Sequence, residues 1–523
     1  MPKVLVIGVD ACDFNIANSL ISRGLMPHIG KYAASYITKL RSTIPPNTAP
    51  SWTSAFTGVN PGKHGIFYFK EIDTGRVLSS WDNKVPYVWE LLANVDMESI
   101  VVNVPLTYPV RKVRGVMVSG LHATRATSKS VFPDSLITSV KRNYEFDMWD
   151  LEWSSSFSKN PEATYDKLLE GDSSRVSFFC KLLGERRWDF ATIVLTSLDR
   201  IQHSFWNFEK SSDYSPNRFV LNAYMKVDEL IGKLIKQVSC SEDVSVFILS
   251  DHGFEGKYSV VHPNEILIRE GLLVPERTNE NLSQLARLGF GRVERIFPSS
   301  FAVPFGRLGR RLVAGILSSS VERGSMNMKS TVAFCIPYGM IRIRRKRNGD
   351  NVHNRDVVAR RIKDAFESWS SKLHVRLEVL EGSNLYWGEE VRAGPDLVIN
   401  PIAGCEFSSV YNQTVLVHTE EGDHSMNGIL IFRYSDRQSG IGTEITNPRM
   451  WDLAATVLPI LGIRPPSYFD GSPLVLPQRT EGLREIDLSH PEDYPTRSEY
   501  ESDEYKSDEE AIIRKRLKDM GYE

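Results

Sequence analysis

Two short segments of the chain pair a carboxylate with an imidazole at spacings that suit a metal ion. In Asp199-Arg-Ile-Gln-His203 the two groups stand four residues apart, so one helical turn brings them to the same face. In Asp251-His252 they are adjacent, directly after the apolar run VFILS. Each pair alone is a common pattern and more often a surface or hydrogen-bonding feature than a ligand set. Asp10, which closes the run VLVIGV, and His424, just before GILIF, add a third carboxylate and a third imidazole. Mixed oxygen and nitrogen donors without a cysteine framework suit zinc, with manganese or iron as alternatives.

Two ions need more ligands than six unshared groups supply, which calls for a seventh that doubles as nucleophile. Thr48, in TIPPNTAPSWTSAFTGVNPGKHGI, leads into a stretch of small residues from Ser51 to Thr57 and so stands near a helix N-terminus. Backbone amides and the helix dipole favour a phosphate anion there. A threonine hydroxyl becomes a competent nucleophile at neutral pH when a metal lowers its pKa; its alternative role is to cap the helix. Asn47 and Ser51 flank Thr48 and either donate to a nonbridging phosphate oxygen or stabilise the turn. Trp52 reads as core more readily than as a stacking surface. His64, in GKHGI, reads as a turn residue, and Lys63 as an ordinary exposed lysine beside a proline turn or a phosphate contact. His262 is undecided, and His28 and His418 have no spacing argument.

The elements that must position these groups are short runs rich in Val, Ile and Leu: 4–9, 99–104, 191–195, 244–249, 397–399 and 429–432. Fully apolar runs of this length read as strands buried on both faces. Helix-like segments at 86–92, 165–183 and 223–235 lie between them, the alternation of an α/β protein with a mostly parallel sheet. Ligands of such sheets bind beyond the carboxyl ends of the strands, where Asp10, Asp199, His203, Asp251 and His252 all fall. The pattern divides the chain into a core at 1–270, a cap or insertion at 271–390, a second core part at 391–480 that carries His424, and an acidic tail at 481–523. Within the insertion, Asn348-Gly349 after IRIRRKR predicts a hairpin turn. Near the end, Ser507 and Glu510 form a capping-box pattern for a short helix that Gly521 would close.

Composition sets wide bounds. A chain of 523 residues, 41% hydrophobic and 24% charged, buries a large core. A formal net charge of -2 argues against a nucleic-acid polymer as partner. Five scattered cysteines without a CxxC pair suggest a reducing compartment, and MPKVLVIGVD is too short an apolar run for a signal segment. A cytoplasmic protein without a transmembrane segment is expected, and oligomeric state is left open.

The motifs GVD with Asp10, NTAPSW with Thr48, TGVNPGKHGI, LDRIQHSFW, SDHGF, GDHSMNGI with His424 and WDLAATVLPILGI, in this order, resemble the alkaline phosphatase superfamily. Within it they resemble the branch of type I phosphodiesterases and nucleotide pyrophosphatases. The resemblance implies a three-layer α/β sandwich around a central, mostly parallel sheet, with a cap over the site. It further implies two divalent ions, one held by Asp10, Thr48, Asp251 and His252 and the other by Asp199, His203 and His424. The reaction implied is hydrolysis of a small phosphate ester through a phosphothreonine on Thr48. Sulfatases of the superfamily carry C/S-x-P-x-R; Thr48-Ala49-Pro50-Ser51-Trp52 lacks both the Cys or Ser and the Arg. Loss of that arginine removes a bidentate clamp on a dianion and leans towards diesters over monoesters. A phosphomonoesterase, a phosphoryl transferase or mutase on the same site, and a non-catalytic binding protein of the same fold are the competing readings.

Overall fold

The apolar runs become strands because each offers side chains that must be buried on both faces. The computed structural model describes residues 2–33, 36–111, 113–146, 160–207, 216–239, 243–276, 326–345, 354–411, 414–434, 445, 447–474, 482–486 and 507–519. Strands β1 (Lys3–Val9), β2 (Ile37–Arg41), β3 (Ser99–Val102), β4 (Gly115–Val118), β5 (Val131–Phe132), β6 (Phe190–Leu195), β7 (Val244–Leu249) and β17 (Asn427–Arg433) form one eight-stranded sheet. Its order is β2-β17-β7-β1-β6-β3-β4-β5. The five strands from β7 to β4 are parallel, while β17, β2 and β5 join by antiparallel pairing.

Alternate side chains of the central strands feed two separate cores. Leu5, Ile7 and Val9 of β1 join Ala191, Ile193 and Leu195 of β6 on one face, under the helices Pro161–Glu185 and Arg218–Val238. Val4 and Val6 join Phe190, Val194 and Phe247 on the other, under the helices Thr48–Thr57 and Asp452–Ile460. Helices on both faces of one sheet make the three layers. Gly8 permits a close approach between the sheet and the Thr48–Thr57 helix, since a Cβ there would lie 2.4 Å from the Trp52 ring. Trp52 is therefore a core residue, fully buried and stacked on Phe56.

Beyond the main sheet, β8 (Gly253–Gly256) pairs with β16 (Gly422–Ser425), and β9 (Ser259–Val261) lies between β14 (Cys405–Phe407) and β15 (Leu416–His418). A further sheet runs β10-β11-β13-β12, from Ala333–Ile336, Met340–Ile343, Leu397–Ile399 and Val379–Glu381. Leu397–Ile399, expected in the main sheet, instead pairs antiparallel with β11 and β12. A three-residue apolar run reports burial but not which sheet it joins. Residues 348 and 349 lie outside the described residues; ahead of them β10 and β11 form a hairpin that turns at Pro337–Gly339. A helix forms over Ser507–Asp519 and docks through buried Ile513 and Leu517, with Glu509 accepting from the Tyr108 hydroxyl. Gly521 and the acidic stretch before Ser507 lie outside the described residues. No described helix is long and apolar enough to cross a membrane.

Candidate metal centre

Strand register brings the ligand-type residues to one level. Val9 pairs with Leu195, and Gly8 with Leu249, so the three parallel strands end together. Asp10 follows β1 directly, Asp251 and His252 follow β7, and helix Ser197–Phe205 after β6 carries Asp199 and His203 one turn apart. His424 arrives by the β16-β8 ribbon, where it pairs with Phe254, two residues past His252. Burial of this set is nearly complete, with Asp10, Asp199, Asp251 and His252 all at 0% exposure.

The distances suit shared ions. His203 Nε2 and His424 Nε2 face each other at 2.9 Å, and Asp199 Oδ1 lies 3.3 Å from the first and 3.4 Å from the second. Donors bound tetrahedrally at about 2.0 Å stand about 3.3 Å apart, so these three fit one zinc-sized ion. On the other side, His252 Nε2 lies 3.2 Å from Thr48 Oγ1, 3.2 Å from Asp251 Oδ2 and 3.6 Å from Asp10 Oδ1. Asp10, Asp199 and His252 also offer donor atoms within 4.8 Å of one another, which puts Asp199 in reach of both groups. Both oxygens of Asp10 are buried without a hydrogen-bond partner among the described residues. A buried carboxylate in that state calls for a cation.

The electrostatics agree. Burial and the charges of Asp251 and Asp199 push Asp10 well above the usual carboxylate range. Burial and Asp199 push Asp251 up to about 7. Burial acts on Asp199 in the same direction, but His203, His424 and Arg200 outweigh it and hold that carboxyl well below the usual range. Burial lowers His203 and His252, whereas His424 is raised because Asp199, Asp423 and the Pro46 carbonyl outweigh burial. Carboxylates crowded in a dry site resist joint ionisation until a cation compensates them.

Around Thr48 the flanking residues divide by their partners. Asn47 caps the Thr48–Thr57 helix, its Oδ1 accepting from the Ala49 amide at 3.2 Å. Its buried Nδ2 meets no acceptor among the described residues. Ser51 instead shares a hydroxyl chain with Ser42 at 3.0 Å and Thr43 at 2.8 Å. His64 lies outside the cage: its Nε2 is 2.9 Å from Ser54 Oγ and its Nδ1 accepts from the Ile66 amide at 3.1 Å. Lys63 is half-buried and pairs with Asp470 at 2.7 Å. His262 Nδ1 meets the Val410 carbonyl at 3.0 Å, and His28 and His418 are exposed.

Several supporting residues escape sequence reasoning. Arg200 donates to Asp199 Oδ2 at 2.7 Å from a fully buried position and so fixes the orientation of that carboxylate. Asp172, on helix Pro161–Glu185, accepts from the amides of Thr196 and Ser197, and Arg175 holds Asp172 at 2.7 Å. This buried pair satisfies the free amides at the start of the helix that carries Asp199 and His203. Gln202 donates to the Ala11 carbonyl at 2.8 Å, while the Ala11 amide donates to Asp251 Oδ1 at 3.3 Å. Ala11 thereby joins two ligand-bearing segments, at φ 59°, a conformation alanine seldom adopts. A one-residue step along a helix turns the side chain away, so adjacency of Arg200 to Asp199 is no signal for their contact.

Comparison with known proteins bears on most of the chain. Residues 4–427 match the model of the family described as type I phosphodiesterase / nucleotide pyrophosphatase. Among solved structures, phosphonoacetate hydrolase from Sinorhizobium meliloti 1021 in complex with phosphonoformate is similar at 15% identity and TM-score 0.52. The same enzyme in complex with phosphonoacetate gives 14% and 0.53; in both cases the match covers 87% of this chain and 94% of the other. At these identities the likeness is one of fold. No curated protein matches the sequence.

Proposed function

The chain belongs to the type I phosphodiesterase / nucleotide pyrophosphatase family and is a metal-dependent phosphoryl hydrolase; from that premise we propose that it cleaves phosphate diesters through a phosphothreonine on Thr48. The observation that carries the proposal is the place of Thr48 Oγ1, 3.2 Å from His252 Nε2 on the rim of a cage of buried carboxylates and imidazoles. In this reading Asp10, Thr48, Asp251 and His252 hold one divalent ion, and Asp199, His203 and His424 hold another, with zinc favoured by the donor set. Bound there, such ions lower the pKa of a hydroxyl and neutralise charge on ester oxygens.

Thr48 Oγ1 loses its proton to solvent water and attacks phosphorus in line; the bond to the leaving alkoxide breaks as the bond to Thr48 forms, and the alkoxide takes up a proton from water to depart as the alcohol. In this reading the Asn47 amide donates to a nonbridging oxygen, which its buried Nδ2 supports by having no acceptor among the described residues. The Thr48–Thr57 helix directs its N-terminus at the same point and favours the developing negative charge. Water then attacks the phosphothreonine from the side the alcohol left and returns Thr48 to its resting state. We assign this activity to a cytoplasmic enzyme of small-molecule esters.

The reading is tested by measuring turnover of an aryl phosphodiester, an aryl phosphomonoester, phosphonoacetate and an aryl sulfate on one sample of known metal content. Diester turnover should lead the panel and scale with bound metal. Leading turnover of the monoester would move the assignment to a phosphomonoesterase, and of phosphonoacetate to a phosphonate hydrolase. Added acceptor alcohol that diverts product from free acid would reveal a transferase.

A further inference from the structure

Between β1 and the helix Phe14–Ser22, residues 10–13 make a short buried loop whose backbone reaches several elements at once. The Ala11 amide donates to Asp251 Oδ1 at 3.3 Å. The Cys12 amide donates to Ser250 Oγ at 2.8 Å, and that hydroxyl donates in turn to the His252 carbonyl. The Asp13 amide donates to the Tyr224 hydroxyl at 2.9 Å. Tyr224 itself donates to Gln202 Oε1 at 3.2 Å, which turns the Gln202 amide nitrogen towards the Ala11 carbonyl, 2.8 Å away. At the end of the loop, Asp13 Oδ2 accepts from Ser425 Oγ at 3.0 Å.

These partners belong to the four segments that bring Asp and His side chains to the cage. Asp10 opens the loop, Ser250 and Asp251 precede His252 after β7, Gln202 stands beside His203 on the helix Ser197–Phe205, and Ser425 follows His424 on β16. Ala11, Gln202, Tyr224 and Ser250 are all fully buried, so water does not replace a bond lost among them. Packing around the last tie is equally close, since a Cβ at Gly253 would lie 2.4 Å from both Asp13 Oδ2 and Ser425 Oγ. Ala11 adds strain at φ 59°, a conformation that persists only while its neighbours enforce it. A lost tie lets Ala11 relax, and the residue it then swings is Asp10.

Resting on the two-ion reading above, we propose that the loop at residues 10–13 is the joint that keeps both ligand groups in register, and that Tyr224 and Gln202, which supply no ligand, are its positioning residues. Metal ligands hold their ion only within narrow limits of distance. Loosening the joint therefore costs affinity in both groups, although the Tyr224 hydroxyl is bonded to no ligand side chain.

The test titrates the metal-free full chain with zinc against a chromophoric chelator of known affinity, resolving two binding steps at a temperature where circular dichroism shows each variant folded. Tyr224→Phe removes one oxygen and should weaken both steps by about 10–100-fold. Gln202→Met cuts the same chain at its other link and should do likewise, and the double variant should fall no more than about twofold below the weaker single one, because the two act through one network. Tyr165→Phe is the control. The Tyr165 hydroxyl also donates to the helix Arg218–Val238, to the Phe219 carbonyl at 3.0 Å, but outside the joint, and its loss should leave both steps as in the wild type. Unchanged zinc affinity in the folded Tyr224 and Gln202 variants, weakening confined to one step, or equal weakening in Tyr165→Phe overturns the joint and leaves the two-ion reading standing. A wild-type chain that binds fewer than two zinc ions overturns the reading on which the inference rests, and the inference with it.

Discussion

The segment from Asn47 to Gly65 takes part in two buried polar clusters that end differently. In one, Asn60, Lys63 and His64 satisfy themselves: His64 binds Ser54 and the Ile66 amide, Lys63 and Asn60 converge on Asp470, and Asn60 also reaches the Trp387 carbonyl. In the other, Thr48 faces His252, which lies 3.6 Å from Asp10, and among the described residues both Asp10 oxygens have no donor. Burial alone therefore does not mark chemistry. A closed set of hydrogen bonds locks a turn, whereas convergent carboxylates and imidazoles without such closure suit a cation.

The sharpest way to break this comparison is to remove Thr48. Thr48→Ala should lower diester turnover by about a thousandfold or more, with metal content and melting temperature retained. Turnover within a few-fold of wild type would return Thr48 to the role of helix cap. Chelation comes next. Stripping divalent ions should abolish activity and lower the melting temperature, because a ligand at a hundred times its Kd stabilises by about 2.7 kcal/mol. Zinc or manganese added back should restore both. An unchanged melting curve would mean that the cage binds no ion tightly.

Positioning residues sharpen the same contrast at smaller scale. Asp172→Ala frees the amides at the start of the Asp199-His203 helix and should weaken metal binding by about 10–100-fold, read by competition with a chromophoric chelator. Metal affinity unchanged in a merely less stable protein would confine Asp172 to folding. For the self-satisfied cluster, His64→Asn should cost about 1–3 kcal/mol while kcat of the folded enzyme is kept. Burial lowers the His64 pKa to about 3, against the opposing charge of Asp470. The unfolded chain then binds this proton first as pH falls, so the stability due to neutral His64 is present above about 6.5 and drains away towards pH 3. The melting-temperature gap between wild type and His64→Asn should shrink across that window; a gap independent of pH would exclude the imidazole as its source.

The difference between the clusters also explains what the sequence discloses. Asp10, Asp199, Asp251 and His252 are legible because apolar parallel strands announce their own ends, and one helical turn after a strand fixes His203 beside Asp199. His424 is legible as a residue type near a strand, although the β16-β8 ribbon that delivers it is not. Arg200, Asp172, Arg175 and Tyr224 are invisible in one dimension, since their roles arise from contacts within and between helices. Leu397–Ile399 shows the same limit in the fold: its burial was evident, its sheet was not.

Stereochemistry at phosphorus tests the central claim most directly. A diester made chiral at phosphorus, hydrolysed by the metal-loaded enzyme in isotopically labelled water, should give product with retained configuration, because attack by Thr48 and then by water inverts the centre twice. Inverted product would show a single displacement by water and would contradict the phosphothreonine.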